Sequence, residues 1–105
     1  DEEYKQTLIE GAEKFPQEKK ITSALANVYV LEGNALYKKG VKIINAANAK
    51  VKAGSLKTDD AAYAAELEKS KVEFKAALEI LEKAQTLDAS NDNAAKLIGA
   101  CNSVL

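Results

Sequence analysis

The sequence predicts an all-α protein, and three observations carry that prediction. Its 105 residues are rich in Ala, Glu, Lys and Leu, which favour helices, and they include a single proline. Apolar residues recur at helical spacing along most of the chain. From Asp59 to Leu87 no glycine or proline interrupts the pattern. A chain of this length fits one domain, so we expect residues 1–105 to form a single helical unit.

The first predicted helix covers residues 3–15, and Pro16 ends it. Its apolar residues follow the spacing of one helical face: Tyr4, Leu8, Ile9, Ala12 and Phe15. A short last helix is predicted over residues 91–105. Between them lie two longer helices, which make an antiparallel hairpin.

The second predicted helix covers residues 19–53 and has to pass through Gly33 and Gly40. One alternative is that Gly33 ends a shorter helix, which would give five helices. We favour one continuous helix, because the small residues keep a step of seven without a change of phase: Ala26, Gly33, Gly40, Ala47 and Gly54. An interior glycine costs about 1 kcal/mol relative to alanine, and close approach of the partner helix would offset that cost. Gly54 is expected to end the helix in a left-handed conformation.

The third predicted helix covers residues 59–88, with Thr58 as its cap and two aspartates in its first turn. Its apolar and small residues form one heptad-spaced stripe: Tyr63, Leu67, Ser70, Phe74, Ala77, Leu81 and Ala84. The stripe requires a partner helix of similar length. The second helix is the candidate.

Both ends of the chain resemble tetratricopeptide repeats, which are pairs of antiparallel helices of about 34 residues. The resemblance rests on three groups of residues: Tyr4, Leu8, Gly11 and Pro16; Leu25, Ala26, Tyr29 and Gly33; and Ala77, Leu81, Ala84, Leu97 and Gly99. The match fails between Gly33 and Ala77. Since Ala26 and Gly99 are 73 residues apart, one repeat would carry an insertion of 39 residues that lengthens both of its helices.

The resemblance implies a fragment of a right-handed superhelix of helical hairpins, one of them long. Such modules bind peptides or proteins along the concave face that their first helices form. Carried over by position, the candidate groove residues are Ser23, Asn27, Val30, Leu31, Lys96, Ala100 and Ser103. Asn27 is the strongest candidate, because an amide can both donate to and accept from a peptide backbone.

Composition disfavours several other functions. The chain has no histidine, so a histidine-based triad is not available. The sequence indicates no catalytic, cofactor or metal site, and we expect a non-enzymatic protein. Cys101 is the single cysteine and is expected to be a small buried residue. No apolar run is long enough to span a membrane.

Charge offers one further feature, a lysine-rich arm between Glu32 and Asp59 that contains no acidic residue. Its lysines are Lys38, Lys39, Lys42, Lys50, Lys52 and Lys57. We expect attraction to the acidic third helix, which disfavours binding of nucleic acid through the arm.

Three functions therefore remain open. The first is a protein-interaction module whose protein or peptide partner is unknown. The second is a capping or spacer segment of a larger helical repeat array, and the third is a weak nucleic-acid binder. A weak homodimer through the long hairpin is also open, with Val41, Val72 and Ala76 as a partly exposed second stripe.

Overall fold

The computed structural model describes residues 2–105, and Asp1 of the predicted domain lies outside that range. The described residues form four α-helices and no β-strand: α1 (Glu2–Lys14), α2 (Lys19–Lys52), α3 (Ala61–Leu87) and α4 (Asp92–Val104). The all-α class and the hairpin of two long helices are thus confirmed. None of the helices in this range combines the length and hydropathy that a membrane crossing requires.

Helix α2 is continuous through both glycines, so the alternative of five helices is wrong. Gly33 and Gly40 are buried, and each lies against a large side chain of α3. A Cβ atom at Gly33 would lie 2.6 Å from Cγ of Leu81, and one at Gly40 would lie 2.7 Å from the ring of Phe74. Close approach of the two helices therefore explains why glycine is placed inside a helix.

Local hydrogen bonds set the ends of the hairpin helices. Gly54 has φ +82°, and the N–H groups of Gly54 and Ser55 donate to the carbonyls of Val51 and Lys50. This pair of bonds is a Schellman motif, as the glycine predicted. The expected cap at Thr58 is wrong. Asp60 occupies the cap position, but its side chain makes no hydrogen bond to the first turn of α3. Its carboxylate instead accepts from the Lys57 N–H in the turn before the helix. The prediction that two aspartates lie in the first turn is also wrong, because α3 begins at Ala61.

The core lies between α2, α3 and α4. Its buried side chains come from all three helices: Ala26, Val30, Ala77, Leu81, Ala84, Ala94 and Cys101. Helix α1 packs against α2 and has no buried residue of its own. Its Lys5 ammonium forms an ion pair with Glu32 at 2.8 Å and lies 5.5 Å from the centre of the Tyr29 ring.

The molecule is elongated, with extents of 55 × 25 × 16 Å. Its radius of gyration is 17.0 Å, whereas a compact chain of this length has about 13 Å. The excess comes from the distal half of the α2–α3 hairpin, which extends beyond α1 and α4. The hairpin therefore presents long flanks with no covering helix.

Candidate functional site

A groove between α2 and α4 is the site that best matches the predicted binding face. It has a volume of about 370 Å³. Three lining residues come from each helix: Val30, Leu31 and Asn34 from α2, and Asn93, Lys96 and Leu97 from α4. In the sequence prediction, both are first helices of a repeat.

The groove combines apolar and polar groups. Val30 is buried and belongs to the core, while Leu31 on the next position is 69% exposed. The amides of Asn34 and Asn93 can each donate and accept hydrogen bonds, and Lys96 adds an exposed ammonium. Ligand sites commonly combine an apolar surface with a few orienting polar groups, and this groove has that composition.

Two of the predicted groove residues lie beside the turn between α3 and α4. The side-chain amide of Asn91 donates to Oδ1 of Asn27 at 3.0 Å, and Oδ1 of Asn91 accepts from the N–H of Ala94 and caps α4. The pKa of Asp88 in this turn is lowered, chiefly by the bond that the Ser90 hydroxyl donates at 2.6 Å and also by the Ser23 side chain. Asn27 therefore helps to place α4 beside α2.

The other predicted residues divide into two sets. Val30, Leu31 and Lys96 line the groove, whereas Ala100 and Ser103 lie further along α4 outside its lining. The Ser103 hydroxyl donates to the Ala100 carbonyl at 2.8 Å. The sequence reasoning missed Asn34, Asn93 and Leu97. Asn34 follows Asn27 by seven residues, so the heptad spacing already put it on the same flank of α2.

A second groove lies between α1 and α3, which both pack against α2. Its volume is about 470 Å³, and Leu25 and Tyr29 of α2 are among its lining residues. Four charged residues also line it: Glu13, Glu79, Glu82 and Lys83. Sequence reasoning did not locate this groove, because it depends on how far α1 extends along α2.

Comparison with family models, with curated proteins and with solved structures finds no match. Only the grooves and surfaces of the chain itself therefore bear on its function.

The six lysines of the lysine-rich arm are exposed, and none of them forms an ion pair in the described range. The expected attraction across the hairpin produces no ion pair between α2 and α3 there. Instead, two lysines of α3 pair along their own helix, Lys69 with Glu66 at 3.2 Å and Lys71 with Glu68 at 3.5 Å. A third groove on the arm has a volume of about 310 Å³, and its lining residues are Lys39, Lys42, Ile43, Ala46, Glu66 and Glu73.

Cys101 is buried in the core, as expected, and burial raises the pKa of its thiol. The prediction that a small apolar role suits this cysteine is confirmed by its place among Ala77, Ala84 and Ala94. No cluster of three or more His, Cys, Asp or Glu residues suited to a metal ion occurs within residues 2–105. Of the proposed exposed stripe, Val72 is 65% exposed, while Val41 and Ala76 are half-buried.

Proposed function

We propose that this chain is a non-enzymatic interaction module of tetratricopeptide-repeat type, which binds an extended peptide of a protein partner between α2 and α4. The observation that carries the proposal is the exposed Leu31 side chain, set beside buried Val30 in a groove with two amides and a lysine. A peptide lying there would meet an apolar anchor and hydrogen-bonding groups from two helices.

The energetics of Leu31 support this assignment. It lies outside the core cluster, so core packing gives no reason for a large apolar side chain at this position. Full burial of a leucine side chain is worth about 1.5–3 kcal/mol, and a bound peptide would recover part of that. No hydrogen bond in the described range uses the side chains of Asn34 or Asn93, so both amides are available to a peptide backbone.

The adjacency of the helices also supports the repeat-type assignment. Helix α2 packs against α1, α3 and α4, and α3 packs against α4. In a tetratricopeptide array each first helix would contact its own partner helix, the preceding second helix and the next first helix. The observed pairs are those that the resemblance implies for α2.

Panning a random peptide display library on the intact chain tests the proposal. We expect enriched peptides to lose at least tenfold in affinity, about 1.4 kcal/mol, for Leu31→Asp. Val72→Asp is the matched control, because Val72 is 65% exposed, much like Leu31, and lies on α3 outside the groove. Peptides that bind Leu31→Asp as tightly as the native chain would place the binding surface elsewhere, and the absence of enriched peptides would count against the function itself.

A spacer within a larger helical repeat array is the second candidate, and the 55 Å length of the molecule favours it. A spacer needs a stiff, extended body rather than a ligand groove. The parent reading frame discriminates between the two candidates, because a spacer predicts further repeats of about 34 residues on both sides.

A further inference from the structure

Helix α1 covers only the first part of one side of α2, so this flank of the molecule is thicker at one end than at the other. It runs antiparallel to α2, since Gly11 faces Ile21 and Lys5 pairs with Glu32. Within residues 2–105, α1 covers α2 from Ile21 to about Glu32. The proximal part of this flank is thus one helix thicker than the distal part.

None of the helices in the described range covers the distal part of the same flank. Leu25, Glu32, Lys39 and Ala46 recur every seven residues and therefore follow one stripe of α2. Leu25 lines the groove beside α1, whereas Lys39 and Ala46 line the groove on the arm, together with half-buried Ile43. The uncovered stretch from Gly33 to Lys52 is 20 residues, about 30 Å, and α1 with 13 residues is about 20 Å long. A helix of the length of α1 fits onto it.

The charges of the two parts are complementary. Residues 33–75 carry nine lysines and five carboxylates, whereas the other described residues carry six lysines and ten carboxylates. Helix α1 itself has four glutamates and two lysines, and one of those lysines, Lys5, is already held by Glu32. Glu10 and Glu13 are exposed and form none of the ion pairs of the described range.

We propose that two copies of this chain pair antiparallel along this flank, with α1 of each copy seated on the uncovered basic stripe of the other. Glu10 and Glu13 of one copy then face Lys39 and Lys42 of the second. The two copies are complementary in shape, because α1 of each copy fills the space beside the part of the other copy's α2 that its own α1 does not cover. The contact is made twice by the same two patches, which gives a closed twofold dimer.

A second copy of the chain is the expected partner of the uncovered stripe, because the acidic and basic parts of one chain lie too far apart to pair with each other. The two charged ends of this 55 Å molecule are too far apart to attract each other within one chain, because at 0.1 M salt charges act only over about 10 Å. Glu66 and Glu73 of α3 line the same groove as Lys39 and Lys42, and Glu66 is paired with Lys69. The attraction remains, because the nine lysines of residues 33–75 outnumber their five carboxylates. The groove between α2 and α4 lies on the other flank of α2 and stays open in the dimer.

Sedimentation equilibrium of the native chain at low and high salt is the first test. We expect an apparent mass approaching twice the 11.3 kDa of one chain at about 10 mM salt, with dissociation at about 0.5 M salt. A native chain that remains monomeric at low salt and millimolar concentration would overturn the proposal.

Charge reversal supplies the second test. Lys39→Glu with Lys42→Glu, or Glu10→Lys with Glu13→Lys, should each weaken the dimer at least tenfold. Mixing the two variants should restore a dimer that contains one chain of each, because both contacts then join opposite charges. Circular dichroism verifies that each variant is folded.

The matched control is Lys19→Glu with Lys20→Glu, which makes the same change of net charge as the lysine reversal at exposed residues outside these grooves and outside residues 33–75. We expect this control to dimerise as the native chain does. If it weakens the dimer equally, or if the mixture of the two reversed variants stays monomeric, the assigned surfaces are wrong.

Discussion

Substitution of Gly40 by alanine tests whether α2 and α3 are as close as the structure places them. The new Cβ atom would lie 2.7 Å from two ring carbons of Phe74, whereas ordinary contacts are 3.4–4 Å. The ring therefore has to retreat by about 0.7 Å. Phe74 has no exposed surface and packs against Tyr37 at a ring-centre distance of 5.4 Å, so it has little room to move.

Two opposing terms set the magnitude for Gly40→Ala. Overpacking a well-filled core typically costs about 1–3 kcal/mol. Alanine in place of glycine inside a helix gains about 1 kcal/mol. We expect a net loss of up to about 2 kcal/mol in the free energy of unfolding, and a larger loss for Gly40→Leu.

Gly99→Ala provides the matched control, because Gly99 lies inside α4 and no atom lies within 4 Å of its added Cβ. It should gain about the same helix propensity without the clash. The difference between the two variants therefore isolates the overpacking term, about 1–3 kcal/mol, or about 4–12 °C in melting temperature. Thermal and urea unfolding followed by circular dichroism measure it.

A double-mutant cycle identifies the contact that is responsible. Phe74→Leu leaves more space opposite Gly40, so the double variant should lose about 0.5–3 kcal/mol less than the sum of the single variants. Equal stabilisation by Gly40→Ala and Gly99→Ala would refute the close packing of Phe74 on Gly40.

Four further outcomes are expected. Gly54→Ala should lose about 1–2 kcal/mol by urea unfolding, since φ +82° strains any residue with a side chain; an unchanged stability would argue against the left-handed cap. Asn91→Ala should lose about 1 kcal/mol with the α4 cap, and more than Asn27→Ala, which removes only the amide pair. The pKa of Asp88 in the folded state lies below its ordinary value of 3.8. The ionised Asp88 carboxylate therefore stabilises the fold above pH 3.8, and this contribution is lost as the pH falls through the lowered pKa. Asp88→Asn should make the free energy of unfolding less dependent on pH in acid, and an unchanged pH dependence would count against the Ser90 bond. Cys101 should react with a thiol reagent only as fast as the chain unfolds, whereas rapid labelling of the native chain would contradict its burial.

The long hairpin could be predicted because its information is local and periodic. On α2 the small residues Ala26, Gly33, Gly40 and Ala47 recur every seven positions. On α3 Phe74 and Leu81 are also seven residues apart, so they lie on one face of that helix. The seven-residue repeat continues without a shift beyond Gly33, so the sequence predicted one continuous helix. The start of α3 could not be predicted in the same way, since Thr58, Asp59 and Asp60 are all residue types that cap helices. The side chain of Asp60, which takes the cap position, bonds to the Lys57 N–H of the preceding turn and not to the helix.

The candidate site was only partly visible in the sequence. Helical spacing placed Val30, Leu31 and Lys96 on the faces that meet between α2 and α4. It could not show that Asn27 is engaged by Asn91, because that hydrogen bond joins residues 64 positions apart. The groove beside α1 was missed for a similar reason. It depends on how far α1 extends along α2, and the Lys5–Glu32 contact that shows this joins residues far apart in the sequence.

The contacts of Gly33 with Leu81 and of Gly40 with Phe74 also determine which lengths this hairpin can have. Moving from the first contact to the second takes seven residues along each helix, about 10 Å. An insertion of seven residues, or a multiple of seven, in both helices would keep the heptad register that sets Gly33 against Leu81 and Gly40 against Phe74. An insertion of another length would shift the small residues of α2 away from the large residues of α3. The α2–α3 hairpin can therefore be lengthened or shortened in steps of about 10 Å. Variants with hairpins of graded length can be designed on this one packing rule.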